Sequence, residues 1–181
     1  MVEIIKKYKI GTRRFGYINW IGAYALYKKE VLRFLIVWAQ TIFSPIISAL
    51  LFLVVLNLAI GDQRGEVLGV SFINFLAPGL IAMQIIQQSF SHSSSSFMIG
   101  KIQKNIVDIL YAPLSPAEVT LAVTFAALTR SVMIAFISII VFYLLIDLQI
   151  ENFINLLIFT FLSGFILGAI GVIAGLWAEK F

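Results

Sequence analysis

A run of polar side chains interrupts an otherwise apolar part of the chain and includes most of the groups that could take part in chemistry. Amide, hydroxyl and imidazole groups recur there at helical spacing and so share one face of a predicted helix: Gln84, Gln87, Gln88, Ser91, His92 and Ser95. Such groups bind polar solutes, but they also hold neighbouring helices together in a membrane. The stripe therefore predicts either a wall of a substrate pathway or subunit contact, or hydrogen bonding within the bundle, and both alternatives stay open.

The residues present do not support catalysis. The chain has no cysteine and a single histidine, which excludes thiol nucleophiles and any site that needs two histidines. It has no phosphate-binding G-x-x-x-x-G-K-[ST] motif, no metal-ligand cluster and no nucleophile beside a base. We expect no enzyme activity, no metal and no cofactor held by this chain. His92, with no carboxylate within a helical turn, is expected to be structural.

Arg130 is a cation within a long apolar run. A charge at the bilayer centre costs about 2.5–3.5 kcal/mol on insertion scales, so its guanidinium should meet a partner or water. It either lines the pathway or contacts another subunit, or it reaches the inner membrane boundary. The carboxylates all lie outside the predicted spans or at their ends. An ion-coupled carrier would need an acid within the membrane, so the energy for any transport is expected from a partner.

The composition requires a membrane to position these groups. Of 181 residues, 61% are hydrophobic and only 12% are charged, against roughly 25% charged in soluble domains. A helix needs about 20 apolar residues to cross a bilayer. We predict an all-α polytopic bundle, a single transmembrane domain over residues 1–181, with about four spans at 34–60, 72–96, 117–146 and 153–177.

The basic residues predict how the bundle is oriented. Eight Lys and Arg residues precede the first predicted span, and Lys101 and Lys104 lie between the second and third. Because Lys and Arg near span ends stay on the cytoplasmic side, we expect the N-terminal tail, 1–19, and the loop near residue 101 to be cytoplasmic.

Two segments outside the spans are predicted to be helical. Residues 20–33 form a candidate amphipathic helix in the membrane interface, with one face made by Trp20, Tyr24, Tyr27, Val31 and Phe34. Its charged residues, including Glu30 and Arg33, are expected off that face. Residues 101–111 form a short cytoplasmic helix candidate that ends before Pro113.

Four glycines recur every three or four residues in the last predicted span. They form two G-x-x-x-G steps on one face: Gly164, Gly168, Gly171 and Gly175. Small residues let helix backbones approach closely, so this face is expected to pack against another helix.

Taken in order, several segments resemble permeases of the ABC-2 type transporter family. The segment 19–45 contains W-I-G-x-x-x-L-Y-x-K-E-V-x-R-F, and 75–83 reads F-L-A-P-G-L-I-A-M. The segment 89–120 contains G-K-I-Q, N-I-V-D-I-L and A-P-L-S-P-A-E-V-T. One departure is Lys104, where the family often has glycine.

The resemblance implies a fold, partners and a location. Two six-span subunits pair as a homo- or heterodimer in the bacterial inner membrane, and each docks a cytoplasmic coupling helix into an ATPase subunit that binds ATP and Mg²⁺. No nucleic acid is implied. In this chain the coupling residues would be Lys101, Lys104, Ile106, Asp108, Ile109, Leu110 and Tyr111.

The resemblance also leaves two expectations about the whole protein. Because the family has six spans and this chain supplies four, we expect a fragment or a truncated product. The expected function is the membrane-spanning subunit of an ATP-driven exporter. The alternative is a small channel or scaffold that needs no ATPase.

Overall fold

The computed structural model describes residues 18–61, 66–67, 69–146 and 152–178. Over these residues the helices, in chain order, are α1 (Trp20–Ile36), α2 (Ser44–Leu56), α3 (Phe72–Ile102), α4 (Ile106–Tyr111), α5 (Pro116–Ile146) and α6 (Phe153–Trp177). Wider π-helical turns, Ala39–Phe43 and Asn57–Gly61, flank α2. A two-residue antiparallel hairpin, β1 (Glu66–Val67) with β2 (Val70–Ser71), precedes α3. The predicted all-α bundle is confirmed.

Among the described residues, three helical segments are long and apolar enough to cross a membrane: Ala39–Gly61, Pro116–Ile146 and Phe153–Trp177. They correspond to the predicted spans at 34–60, 117–146 and 153–177. Helix α3 has 31 residues, about 46 Å at 1.5 Å per residue, but its polar stripe makes it less apolar than the other three. Its crossing, predicted over 72–96, stays a prediction. The helix runs without a break through Pro78.

Helices α3, α5 and α6 pack against one another, and the glycines of α6 make close contact with both neighbours. All four glycines are buried. A Cβ atom built at Gly171 would lie 2.6 Å from the carbonyl oxygen of Phe90 on α3, and one built at Gly164 would lie 2.8 Å from the side chain of Leu128 on α5. The Ser89 hydroxyl donates to the Gly164 carbonyl at 2.5 Å. The glycine face thus allows α6 to touch the backbone of α3.

Helix α2 is held less closely than α3. It buries three side chains, Ile46, Ala49 and Leu53, and the last two join an apolar cluster formed with α3 and α5. Helix α3 buries twelve residues along its length. Helix α3 is therefore firmly packed in the bundle, whereas α2 packs against it through few side chains.

The predicted aromatic face of α1 is exposed at the start of the helix and buried near its end. Trp20 and Tyr24 are 73% and 65% exposed, whereas Phe34 is 3% exposed. Glu30, expected off the buried face, is itself 2% exposed because its carboxylate accepts a 2.9 Å hydrogen bond from Arg33 Nε. The helix continues to Ile36, three residues beyond the predicted end at residue 33.

The start of α1 is tied to the start of α5. Asn19 caps α1 by accepting from the Gly22 amide at 3.0 Å, and its own backbone N–H donates to Glu118 at 2.6 Å. Glu118 also accepts from the Ser115 amide at 2.6 Å, while the Ser115 hydroxyl accepts from the Glu118 amide at 3.3 Å. This reciprocal pair is a capping box. It joins the two helices through one carboxylate.

Helix α3 ends inside the segment predicted as a single helix at 101–111. Lys101 belongs to its last turn, and Lys104 adopts a left-handed backbone with φ of 59°. A left-handed residue just past a helix end is a common C-terminal cap, and glycine is preferred there because other residues lose energy in that conformation. The helix that follows is shorter than predicted, Ile106–Tyr111.

Candidate functional site

A groove with a volume of about 730 Å³ lies between α2, α3 and α5. Most of its lining side chains are polar, although it penetrates an apolar bundle. From the π-turn and α2 it is lined by Gln40, Thr41, Ser44, Pro45, Ser48, Ala49 and Phe52, from α3 by Leu80, Met83, Gln84, Gln87, Gln88, Ser95 and Ile99, and from α5 by Arg130.

The structure gives the residues of the polar stripe different surroundings. Gln84 is buried and uses both ends of its amide within the bundle. Its Nε2 donates to the Pro45 carbonyl at 2.8 Å and its Oε1 accepts from Ser138 at 2.7 Å. Gln87 is exposed to the groove, whereas Ser91 is exposed but does not line it. Gln84 therefore joins three helices, and Gln87 presents a free amide to the groove.

Gln88 and Arg130 form a polar pair on the groove wall. Arg130 Nη2 donates to Gln88 Oε1 at 2.6 Å. Arg130 Nε is buried and has no hydrogen-bond partner within the described part of the chain. The guanidinium thus enters the groove with one neutral partner.

Four polar residues at the groove, Thr41 among them, were not predicted from the sequence. Gln40, Ser44 and Ser48 come from the start of the first span and line the groove opposite the stripe. The signal was available, since a spacing of four residues places them on one helical face. Uncharged polar residues in an apolar run that contains no charge give only a weak signal of a polar surface.

A buried ionic group lies beside the stripe. The Arg33 guanidinium, which pairs with Glu30, also donates to the His92 carbonyl at 3.1 Å. His92 is 1% exposed, with Nε2 3.7 Å from the Glu30 carboxylate and its ring edge against Phe34. Residues distant in sequence thus bring a carboxylate to His92, which its own helix does not supply. No group of residues suited to a metal ion occurs among those the structure describes.

The residues expected to couple to an ATPase divide into three sets. Ile106 and Ile109 pack inward against a buried cluster of α1, α3, α5 and α6. Leu110 and Tyr111 are 75% and 86% exposed, and Asp108 and Lys104 are also exposed. The third set is Lys101, whose ammonium caps α6.

Lys101 reaches the C-terminal end of α6 and not open solvent. Its Nζ donates to the carbonyl oxygens of Gly175, Leu176 and Ala178 at 3.0, 2.6 and 2.8 Å. A cation at this end satisfies carbonyls that have no helical partner and complements the helix dipole. This contact fixes the end of α3 to the end of α6.

Comparison with known proteins identifies the kind of bundle that carries this groove. A family model described as ABC-2 type transporter matches residues 22–181. The chain belongs to this family. Similar curated proteins are named inner membrane transport permease YadH, from Escherichia coli K12, Escherichia coli O157:H7 and Shigella flexneri, each 24% identical over 165 residues. No solved structure gives a significant match.

The alignment to these relatives covers 91% of this chain and 64% of each relative. The ABC-2 chain therefore spans less than two thirds of the length of the curated relatives that it matches. The groove, the glycine face and α4 all lie within the matched residues, 22–181.

Proposed function

We propose that this ABC-2 chain is the membrane-spanning subunit of an ATP-driven export permease in a bacterial inner membrane, with its N-terminus cytoplasmic. Two such subunits pair as a homo- or heterodimer, and the α2–α3–α5 groove forms part of the substrate path. The observation that carries the proposal is this polar groove within an apolar bundle of a transporter family. Polar lining at membrane depth is tolerated where it meets protein or water, as a path requires.

The second part of the proposal concerns the source of energy. Helix α4 docks a separate ATPase subunit, which holds ATP and Mg²⁺. The exposed side chains of Leu110 and Tyr111 support this role. They are adjacent on a short helix outside the predicted spans, and contiguous exposed apolar side chains are typical of a protein contact surface. The exposed charges of Asp108 and Lys104 lie beside them and fit a charged partner surface.

The test is a pull-down of the full protein expressed from its native locus, tagged at the N-terminus and extracted in mild detergent, with mass spectrometry of what co-purifies. The variant is Leu110→Ser with Tyr111→Ser, which leaves the inward-facing Ile106 and Ile109 in place. The matched control is Tyr143→Ser, an aromatic residue 59% exposed near the opposite end of α5.

We expect the unaltered protein and the control to recover an ATPase that has a phosphate-binding loop, and the double variant to lose it at an unchanged melting temperature. If the double variant recovers the ATPase as well as the control does, the docking assignment to α4 is wrong. If a stable unaltered protein recovers no ATPase, the energy source is wrong and an ATPase-independent channel or scaffold replaces the proposal.

A further inference from the structure

The groove changes character along its length. Gln84 on α3 bonds to Pro45 at the start of α2, and Leu80 packs near Ala49 one turn further along α2, so the two helices run in opposite directions. The end nearest α1 presents five polar side chains, Gln40, Thr41, Gln88, Ser95 and Arg130, with Ile99, whereas the end further from α1 presents Ala49, Phe52, Leu80 and Met83. The groove is therefore mainly polar and cationic at one end and mainly apolar at the other.

The charge at the polar end has no carboxylate to balance it. Among the residues that the structure describes, no Asp or Glu lines the groove, and none lies within ion-pair distance of Arg130. The buried carboxylate of Glu30 is already bonded to Arg33 at 2.9 Å. A guanidinium that lines the groove and has one amide as its hydrogen-bond partner among the described residues favours an anion, since charge-assisted hydrogen bonds are the strongest that it makes.

The depth of Arg130 matches the level of lipid headgroups. The residues 131–146 that follow it in α5 extend about 24 Å at 1.5 Å per residue, and a hydrocarbon core is about 30 Å thick. In the proposed orientation, Arg130 therefore lies within several ångströms of the cytoplasmic boundary. The apolar end of the groove lies deeper in the membrane.

We propose that the groove binds an anionic amphiphile from the cytoplasmic leaflet, and that such amphiphiles are the substrate class of the permease. Arg130 binds the headgroup anion, and the amides of Gln87 and Gln88 bind its remaining polar atoms. Phe52, Leu80 and Met83 contact the first part of the apolar tail. The assignment as substrate rests on the proposed function, whereas the binding itself does not.

The test uses the full protein from its native locus in nanodiscs of phosphatidylcholine, with a trace of a photoactivatable lipid. The two tracers, phosphatidylglycerol and phosphatidylcholine, carry identical chains and differ only in the headgroup. Crosslinks are mapped to peptides by mass spectrometry. We expect phosphatidylglycerol to label residues 40–52 and 80–88 at least about fivefold more than phosphatidylcholine does, because one charge-assisted contact separates the two headgroups.

Variants then assign the preference to the groove. Arg130→Gln should reduce the labelling ratio to about one, and Arg130→Lys should retain most of it. Lys28→Gln removes an exposed cation of α1 that lies outside the groove and should leave the ratio unchanged. If Arg130→Gln does not fold, Gln87→Glu places a negative charge on the exposed groove wall and should likewise abolish the preference. An unchanged ratio in the folded charge variant overturns the proposal.

Two further measurements distinguish a lipid substrate from a free anion and from a structural lipid. Soluble glycerol phosphate should not compete with the tracer, and equal competition by it would show a site for free anions. Adding ATP to the protein together with its recovered ATPase should change groove labelling if the amphiphile is cargo. Labelling that ignores ATP would show a structural lipid and overturn the substrate assignment.

The outcome is independent of the test of ATPase docking. Arg130→Gln lies away from α4 and should still recover the ATPase in the pull-down. If the unaltered protein recovers the ATPase but shows no preference for the anionic lipid, only this inference is refuted. If the unaltered protein fails to recover the ATPase, the proposed energy source is refuted.

Discussion

Replacing Gly171 by alanine tests whether the glycine face of α6 exists for packing or for bending. Alanine is favoured over glycine inside a helix by about 0.8–1.0 kcal/mol. At Gly171 the added methyl would lie 2.6 Å from the Phe90 carbonyl oxygen and would also overlap the Ser93 side chain. Real Cβ atoms essentially never come within 3.0 Å of such an atom, so α6 must move away from α3.

The size of the effect follows from these opposing contributions. Overpacking typically costs about 1–3 kcal/mol, and the contact with a backbone carbonyl cannot be relieved by a side-chain rotation. Because the overlap cannot be relieved, we take the upper part of that range, about 2–3 kcal/mol, and after subtracting the helix-propensity gain we expect Gly171→Ala to lower the free energy of unfolding by about 1–2 kcal/mol. For a chain of this size that is a fall in melting temperature of about 2–8 °C.

The matched control is Gly79→Ala on α3. A Cβ atom there would have nothing within 4 Å, so only the propensity gain remains and the melting temperature should rise by up to about 4 °C. The assay is thermal unfolding of the detergent-purified protein followed by tryptophan fluorescence, with gel filtration to verify folding. If Gly171→Ala melts at or above the temperature of the unaltered protein, the close contact is refuted. If Gly171→Ala leaves the melting temperature unchanged and still impairs transport, the glycine serves as a hinge.

Three more variants test contacts at the ends of helices. Lys104→Gly should raise the melting temperature by about 2–8 °C, because glycine relieves a left-handed conformation that costs other residues about 1–2 kcal/mol. A fall would contradict the cap. Lys101→Met should lower stability by about 1–2 kcal/mol, and hydrogen exchange at the end of α6 should accelerate, because three carbonyls lose a charged donor; unchanged exchange would count against that contact. Glu118→Gln should accelerate hydrogen exchange of the Asn19 backbone amide by about tenfold. A neutral side-chain amide accepts more weakly than a carboxylate, and it would turn its N–H₂ end toward one of the two backbone donors. Equal exchange in both proteins, measured by mass spectrometry, would refute the contact between α1 and α5.

The bundle could be predicted because its signals are local. Apolar runs of sufficient length specify membrane helices whatever their neighbours are, and the family resemblance agrees with the family match over residues 22–181. The left-handed turn at Lys104 has a sequence signal as well, since the resembling permeases often carry glycine there. In this chain a lysine adopts that left-handed conformation.

The partners of polar groups could not be predicted in the same way. Gln84 and Gln88 have the same side chain and lie on the same helix, yet one bonds to Pro45 and Ser138 and the other to Arg130. Periodicity places residues on a face but does not say which neighbour that face meets.

The burial and the partners of charged residues could not be predicted from the sequence either. Glu30 stands beside two lysines, a pattern typical of a solvated face, and its burial depends on Arg33 and on α3. Lys101 lies 74 residues from the carbonyl of Gly175 to which it donates. Contacts of such sequence separation leave no periodic trace in the chain.

The light packing of α2 has a consequence for the width of the groove. Its three buried side chains face apolar neighbours, and acyl chains are as apolar as the leucine and alanine contacts that they would replace. Moving α2 outward therefore breaks the hydrogen bond from Gln84 to the Pro45 carbonyl, but it otherwise exchanges protein contacts for lipid contacts of similar chemistry and exposes little new surface to water. Wider π-helical turns flank α2 at both ends. In the proposed function, a groove with this wall would admit ligands of different girth while the α3–α5–α6 unit keeps its own contacts.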